Sequence, residues 1–342
     1  MRLIVFAFLA PALLPAQSAF LKDPDIVWAV EIEQDWAVDI PSLDAEWDYG
    51  ITTVKLLRTD RNVPDWMSPF LSGLVFSAAE KRLLPIFQDP LLGIPADPDG
   101  LFIRTDTVVT FDPDTYEEKV QIVHNRIDPV PAFKAWRLRQ ILAYHRKKAT
   151  WSATVEAIAP LVQEWNGKGD SISLRPFFWF RPETGRKDVR SSDIVWAKNV
   201  RSRHTGTFVK LQDVRPVKVT EGFANPLPHL LDVLRTDMKT PFFSTLEGHK
   251  PLTPAERASM LSHSDTVVTF DPETYEEKMT IVHNDINPDD IKILELYMTW
   301  YWDERRSRLS IALDAVAPAR DVYDPAGNFR FSIPMFIRKT RR

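Results

Sequence analysis

The chain has 342 residues, with 43 basic and 47 acidic side chains, a formal charge of -4, 44% apolar residues and 26% charged residues. At about 100–200 residues per domain this is room for about two domains. Usage this close to the globular average excludes a wholly disordered chain, a collagen and a multi-span membrane protein, and interspersed charges leave no basic patch for a polynucleotide.

In chain order, residues 1–18 read as a secretory signal. Arg2 gives a short basic start, Leu3 to Pro15 is an apolar run, and Ala16-Gln17-Ser18 resembles a small-x-small cleavage pattern. The run is shorter than the roughly 20 residues a spanning helix needs, and Pro11 and Pro15 interrupt it. No cysteine is present, so disulfides, thiol nucleophiles and Cys-ligated metals are excluded. An exported chain of this kind must stand on its hydrophobic core, and lipid attachment at a cysteine is not open to it. The 27 Pro against 11 Gly, together with 11 Trp, imply stiff connections and large amphipathic contact surfaces.

The strongest signal is an internal repeat. Asp106–Pro129 (DTVVTFDPDTYEEKVQIVHNRIDP) returns 159 positions later as Asp265–Pro288 (DTVVTFDPETYEEKMTIVHNDINP), identical at 19 of 24 positions. Asp25-Ile26-Val27-Trp28-Ala29 returns at Asp193–Ala197, Ala157-Ile158-Ala159-Pro160 at Ala315–Pro318, and Pro176–Phe180 is echoed by Pro334–Ile337. The expected organisation is two homologous modules, 23–186 and 191–342, joined by the short polar stretch from Gly185 to Ser192.

Each module reads as α+β, with antiparallel hairpins and a few short helices. Thr107–Phe111 and Tyr116–Val123 flank a Pro-containing turn at Asp112–Thr115, which is a hairpin pattern; Thr266–Phe270 and Tyr275–Val282 repeat it around Asp271–Thr274. Asn287-Pro288-Asp289-Asp290 offers an N-cap, a Pro at the first helical position and acids against the macrodipole, so a short helix is expected to start there. Leu296–Trp302, a polar turn at Asp303–Ser307 and Arg308–Val316 predict a second hairpin ending at Ala317-Pro318. Leu142–His145, Arg146–Lys148 and Thr150–Ile158 repeat it.

Candidate chemistry is sparse. His124-Asn125 and His283-Asn284 are the histidine pair the repeat preserves, either as an acid/base pair or as strand-end hydrogen bonders. Asp112 with Glu117-Glu118, and Asp271 with Glu276-Glu277, fit hard-cation ligands, the carboxylate pair of an exported hydrolase, or a solvated hairpin. Asp97-Pro98-Asp99-Gly100 resembles the start of a calcium loop without its later ligands. No HExxH, GxSxG, Walker loop or GxGxxG occurs, so no active site and no cofactor are expected. Trp300-Tyr301-Trp302 and Phe177–Phe180 are consecutive, so on strands they point to both faces. Either both faces are buried within the chain or a partner covers one; stacking of a sugar on exposed Trp is the alternative that would make this an exported glycan-binding or adhesion module.

These segments together resemble the gliding-motility protein family GldN, called PorN in type IX secretion. The matching positions are Trp196, then Asp271-Pro272-Glu273-Thr274-Tyr275, Trp302-Asp303 with Ser307, Ala317-Pro318, and Phe178-Trp179-Phe180 with Pro182-Glu183. This chain departs from the family in resembling two modules in tandem, and in carrying Tyr144-His145 where the second copy has Trp302-Asp303. The resemblance implies a non-enzymatic periplasmic subunit that builds rings beneath the outer membrane with a GldK/PorK-like lipoprotein and contacts a GldM/PorM-like motor component. It supplies no catalytic residues. The expected partner contacts are the hairpin turns, at Asp112, Pro113, Thr115, Tyr116, Asp271, Pro272, Thr274 and Tyr275, and the aromatic residues Trp300 and Trp302.

Overall fold

A computed structural model of the chain describes residues 23–36, 51–58, 70–111, 117–184, 193–207, 210–211, 214–215, 226–270, 273–324 and 327–340, apart from residues 167, 169, 275 and 292. Residues 51–58, 204–207, 210–211, 214–215, 263–267, 282–284, 290 and 323 enter through their backbone alone. The expected signal segment and the 185–192 joint lie outside the described residues. Among the described residues, no helix is long and apolar enough to cross a membrane.

Antiparallel strands dominate. Strands β1 (Ile26–Trp36), β5 (Phe133–His145), β6 (Thr150–Trp165) and β7 (Ser171–Pro176) form a sheet in that order. Strands β9 (Ile194–Thr207), β14 (Ile293–Asp303), β15 (Arg308–Tyr323) and β16 (Phe329–Pro334) form a second sheet of the same order. Between the first two strands of each set comes a pair of helices, α1 (Leu71–Glu80) and α2 (Pro98–Phe102) in the first half, α3 (Leu227–Thr236) and α4 (Pro254–Leu261) in the second. A separate two-stranded hairpin follows each pair: β3 (Ile103–Phe111) with β4 (Glu118–Arg126), and β12 (Ser262–Phe270) with β13 (Glu277–Asp285). The halves also trade strands. β2 (Ile51–Arg58) pairs with β9 in the second sheet, and β11 (Val214–Arg215) pairs with β1 in the first. Among the described residues one pairing is parallel, β8 (Glu183–Thr184) on β15.

The sheets pack face to face around the tryptophans. Because side chains alternate along a strand, Leu294, Leu296, Met298, Trp300 and Trp302 of β14 all enter the shared core, where they meet Trp28, Trp36, Trp136, Tyr144 and Trp151. Trp36 and Trp300 stack with ring centroids 5.7 Å apart. At about 25 cal/mol per Å² and roughly 200 Å² of surface, each such tryptophan contributes about 5 kcal/mol as an upper bound. The polar tip of this packing is Tyr144, whose hydroxyl lies 3.0 Å from His229 Nδ1 on α3.

This burial decides how the consecutive aromatics are covered. Phe178 and Phe180 point into the core, while Trp179 points outward beneath Phe87 and Leu92. Phe87 and Trp179 exchange backbone bonds of 2.8 Å in both directions. Ala157 and Ala159 of β6 are small enough for this cover to lie flat. In the second half Phe243 and Leu246 lie over Ala315, Ala317 and Ile337 in the same manner. Tyr301, between two inward tryptophans, packs on Ile194 and Ala197. The chain itself covers both faces.

Three local expectations need correction. The hairpins do not stop at the Ala-Pro pairs: β6 runs through Pro160 to Trp165 and β15 through Pro318 to Tyr323. Each proline presents its carbonyl to an amide just beyond the neighbouring strand, Phe177 to Pro160 at 2.9 Å and Met335 to Pro318 at 2.8 Å. The missing N–H falls at that same margin, where no ladder bond depends on it. The helix expected at Pro288 is a single 3₁₀ turn, Pro288–Asp290, capped by the Asn287 side chain, which accepts from the Asp289 amide at 3.1 Å. The calcium-like Asp97–Gly100 segment is instead the start of α2. Asp97 caps it by accepting from the Asp99 amide, and Arg82 bridges both acids at 3.2 and 2.8 Å.

Candidate interaction surfaces

The two hairpins leave their helices without a loop, since Ile103 follows Phe102 and Ser262 follows Leu261. Each base is closed by one backbone bond of 2.8 Å, Ile127 amide to Phe102 carbonyl and Ile286 amide to Leu261 carbonyl. Beyond that base the strands pair with each other and, among the described residues, with no other strand. They therefore stand as two arms.

Register sorts their side chains. On one face of the first arm lie Phe111 beside Glu118, Val109 beside Val120, Thr107 beside Ile122, Thr105 beside His124, and Ile103 beside Arg126. The second arm presents Phe270 beside Glu277, Val268 beside Met279, Ile281 one level further, and Ser262 beside Asp285 at its base. These faces are apolar and in water: Phe111 is 67% and Ile122 63% exposed, Phe270 61% and Ile281 63%. An isolated two-stranded hairpin is marginal in water, and an exposed apolar stripe of this kind marks a contact surface.

Polar groups brace the first arm. Arg126 donates through Nε and Nη2 to both carboxylate oxygens of Glu80 at 2.6 and 2.7 Å, tying the arm to the end of α1. This bond holds the Glu80 carboxyl below its ordinary range and raises the Arg126 guanidinium. Asn125 donates to Asp106 at 3.0 Å, which with Arg104 lowers that carboxyl as well. His124 Nδ1 lies 3.0 Å from Thr105 Oγ1 on the facing strand; the His283 side chain lies outside what is described. At the second arm the signs reverse, with Asp285 on the arm and Arg235 on α3, 3.6 Å apart.

Of the contacts expected from sequence, Asp112, Pro113, Thr115, Tyr116, Asp271, Pro272 and Tyr275 lie outside the described residues, and Thr274 is exposed at the second tip. Trp300 and Trp302 are 0% and 2% exposed. They hold the sandwich together, so their rings are not available to a sugar or a partner in this fold. Sequence reasoning missed the apolar stripes; the signal was there in the alternation of β3 and β4, which form a hairpin with no third strand to cover it.

A cleft of about 620 Å³ lies between the halves, lined by His145, Lys148 and Ser152 from one and His249, Asp314 and Lys339 from the other. Within it Lys339 donates to the Gly248 carbonyl at 2.8 Å, and the Thr299 hydroxyl lies between Asn199 and Asp314. Among the described residues no cluster of His, Asp and Glu has the arrangement of a metal site.

The turn that carried the sequence resemblance is also explained. Trp302 enters the core, Asp303 accepts from the Arg306 amide at 3.0 Å, and Ser307 takes a positive φ of 50°. The family model for the gliding motility associated protein GldN matches residues 224–339, from just before α3 through the last strand. This family is a component of the gliding-motility and type IX secretion machinery. Comparison with curated proteins returns no match.

Proposed function

The chain carries a GldN-family segment at residues 224–339, and from it we propose a non-enzymatic structural subunit of the gliding and type IX secretion machinery, working in the periplasm. In this reading residues 23–186 and 191–342 are two copies of one module, supported by the recurring order of strands, helices and arm. One chain then fills two adjacent positions of a ring beneath the outer membrane, since repeated heterologous contacts close when the rotation permits. A GldK/PorK-like lipoprotein completes the ring and a GldM/PorM-like motor component touches it. With no cysteine to carry lipid, attachment to the membrane falls to the lipoprotein.

The observation that carries this reading is the family match across α3, α4, the second arm and strands β14, β15 and β16. The test is co-purification of the tagged chain from its native envelope, with mass spectrometry and sizing of what accompanies it. Recovery of a lipoprotein of the secretion machinery in a particle of megadalton size is the expected result. A lone chain, free of envelope partners, would overturn the secretion role.

A further inference from the structure

The two arms share an apolar centre and differ at the base, and that difference decides what each can bind. Turn the first arm end over end and lay it face to face on a second copy of itself. β4 then runs over β4 and β3 over β3, in opposite directions, with Ile122 and Thr107 at the middle of the five levels. The outer levels match on both strands: Glu118 falls on the partner's Arg126, and Phe111 falls on the partner's Ile103. Acid meets base and ring meets branched aliphatic, twice, by symmetry. All four side chains are exposed, Arg126 while paired with Glu80.

The second arm fails the same operation at both places. Its Phe270 would meet Ser262, and its Glu277 would meet Asp285, acid on acid. Like charges across an interface reject a pairing. Glu80 adds a positioning role at the first arm: it grips Arg126 by Nε and Nη2, fixes its orientation at the base and leaves Nη1 outside that bond.

We infer that the first arm is a dimerisation arm, which joins two copies of this chain through its Phe111, Val109, Val120, Ile122 face in antiparallel, two-fold contact, while the second arm is built against self-pairing. The inference deepens the assembly reading above and rests on it for its setting, but it is tested on the purified chain alone.

The absence of cysteine makes crosslinking clean. The chain with Ile122→Cys, treated with a short bis-maleimide, gives a covalent dimer; the chain with Ile281→Cys stays monomeric. Sedimentation of the unmodified chain at low salt gives a dimer, which Arg126→Asp shifts to monomer with unchanged far-ultraviolet circular dichroism. Three changes at the second arm, Ser262→Ile, Asp285→Arg and Arg235→Glu, remake its base as that of the first, and the chain then carries two self-pairing arms and forms long polymers. A chain that is monomeric at tens of micromolar, or an Ile281→Cys crosslink as strong as that at Ile122→Cys, would each overturn the dimer arm. Both outcomes leave the secretion role standing, because envelope co-purification reads it separately.

Discussion

Arg137 and Glu295 occupy the same place in their two strands and carry opposite charge. Arg137 sits opposite Asp35 across β1 and β5 and donates to it at 2.7 and 2.9 Å; Glu295 sits opposite Arg203 across β9 and β14 and accepts from it at 3.0 Å. The ladder keeps the ion pair and exchanges its ends. The same exchange recurs at the arm bases, in Arg126 with Glu80 and Asp285 with Arg235.

The two pairs differ in what breaking them costs. Glu295 is fully buried and also binds Arg201 and the Tyr297 hydroxyl, at 2.9 Å for the latter, so its loss takes the acceptor from three part-buried donors at once. Glu295→Ala should cost about 3–5 kcal/mol. Asp35 and Arg137 are each about a quarter exposed, and Asp35→Ala should cost about 1 kcal/mol. Urea unfolding of the two variants side by side gives the comparison; equal costs would contradict the burial difference.

Trp300 closes the sandwich against Trp36. Trp300→Ala should destabilise by about 3–5 kcal/mol and lower the midpoint of thermal unfolding, followed by circular dichroism. Retention of the midpoint would mean that the sheets do not meet through this pair.

His229 makes stability depend on pH. Burial, helped by nearby Arg146, pushes its pKa below the ordinary 6.5, so the unfolded chain binds the proton more readily than the folded one. Its contribution is therefore fully present above about pH 6.5 and declines as pH falls through that value toward the folded pKa. The urea midpoint should drop between pH 7.5 and 5.5, and the drop should shrink in His229→Gln. An unchanged pH slope in that variant would show that other groups set it.

Two small stabilising and destabilising changes test local geometry. Ala149 takes a φ of 44° at the β5–β6 turn, a conformation that penalises a Cβ, so Ala149→Gly should stabilise by up to about 1 kcal/mol. Thr253 and Glu256 form a reciprocal capping box at α4, and Thr253→Ala should cost about 1 kcal/mol. Chemical denaturation curves resolve both.

The sequence by itself determined the paired strands of the arms and the β5–β6 and β14–β15 hairpins, because a hairpin is written in local signals: alternation along each strand and a polar run between them. The sequence repeat made these elements legible at two places in the chain. The strand ends were misjudged at Pro160 and Pro318, since whether a proline ends a strand depends on which neighbour needs its N–H. That Trp300 and Trp302 lie inside rather than out, that β2 and β11 cross between halves, and that the arms' apolar faces remain in water were decided only by the tertiary structure. Each of these turns on what lies opposite a side chain from a distant part of the chain, and periodicity fixes which way a residue points without fixing what it meets there.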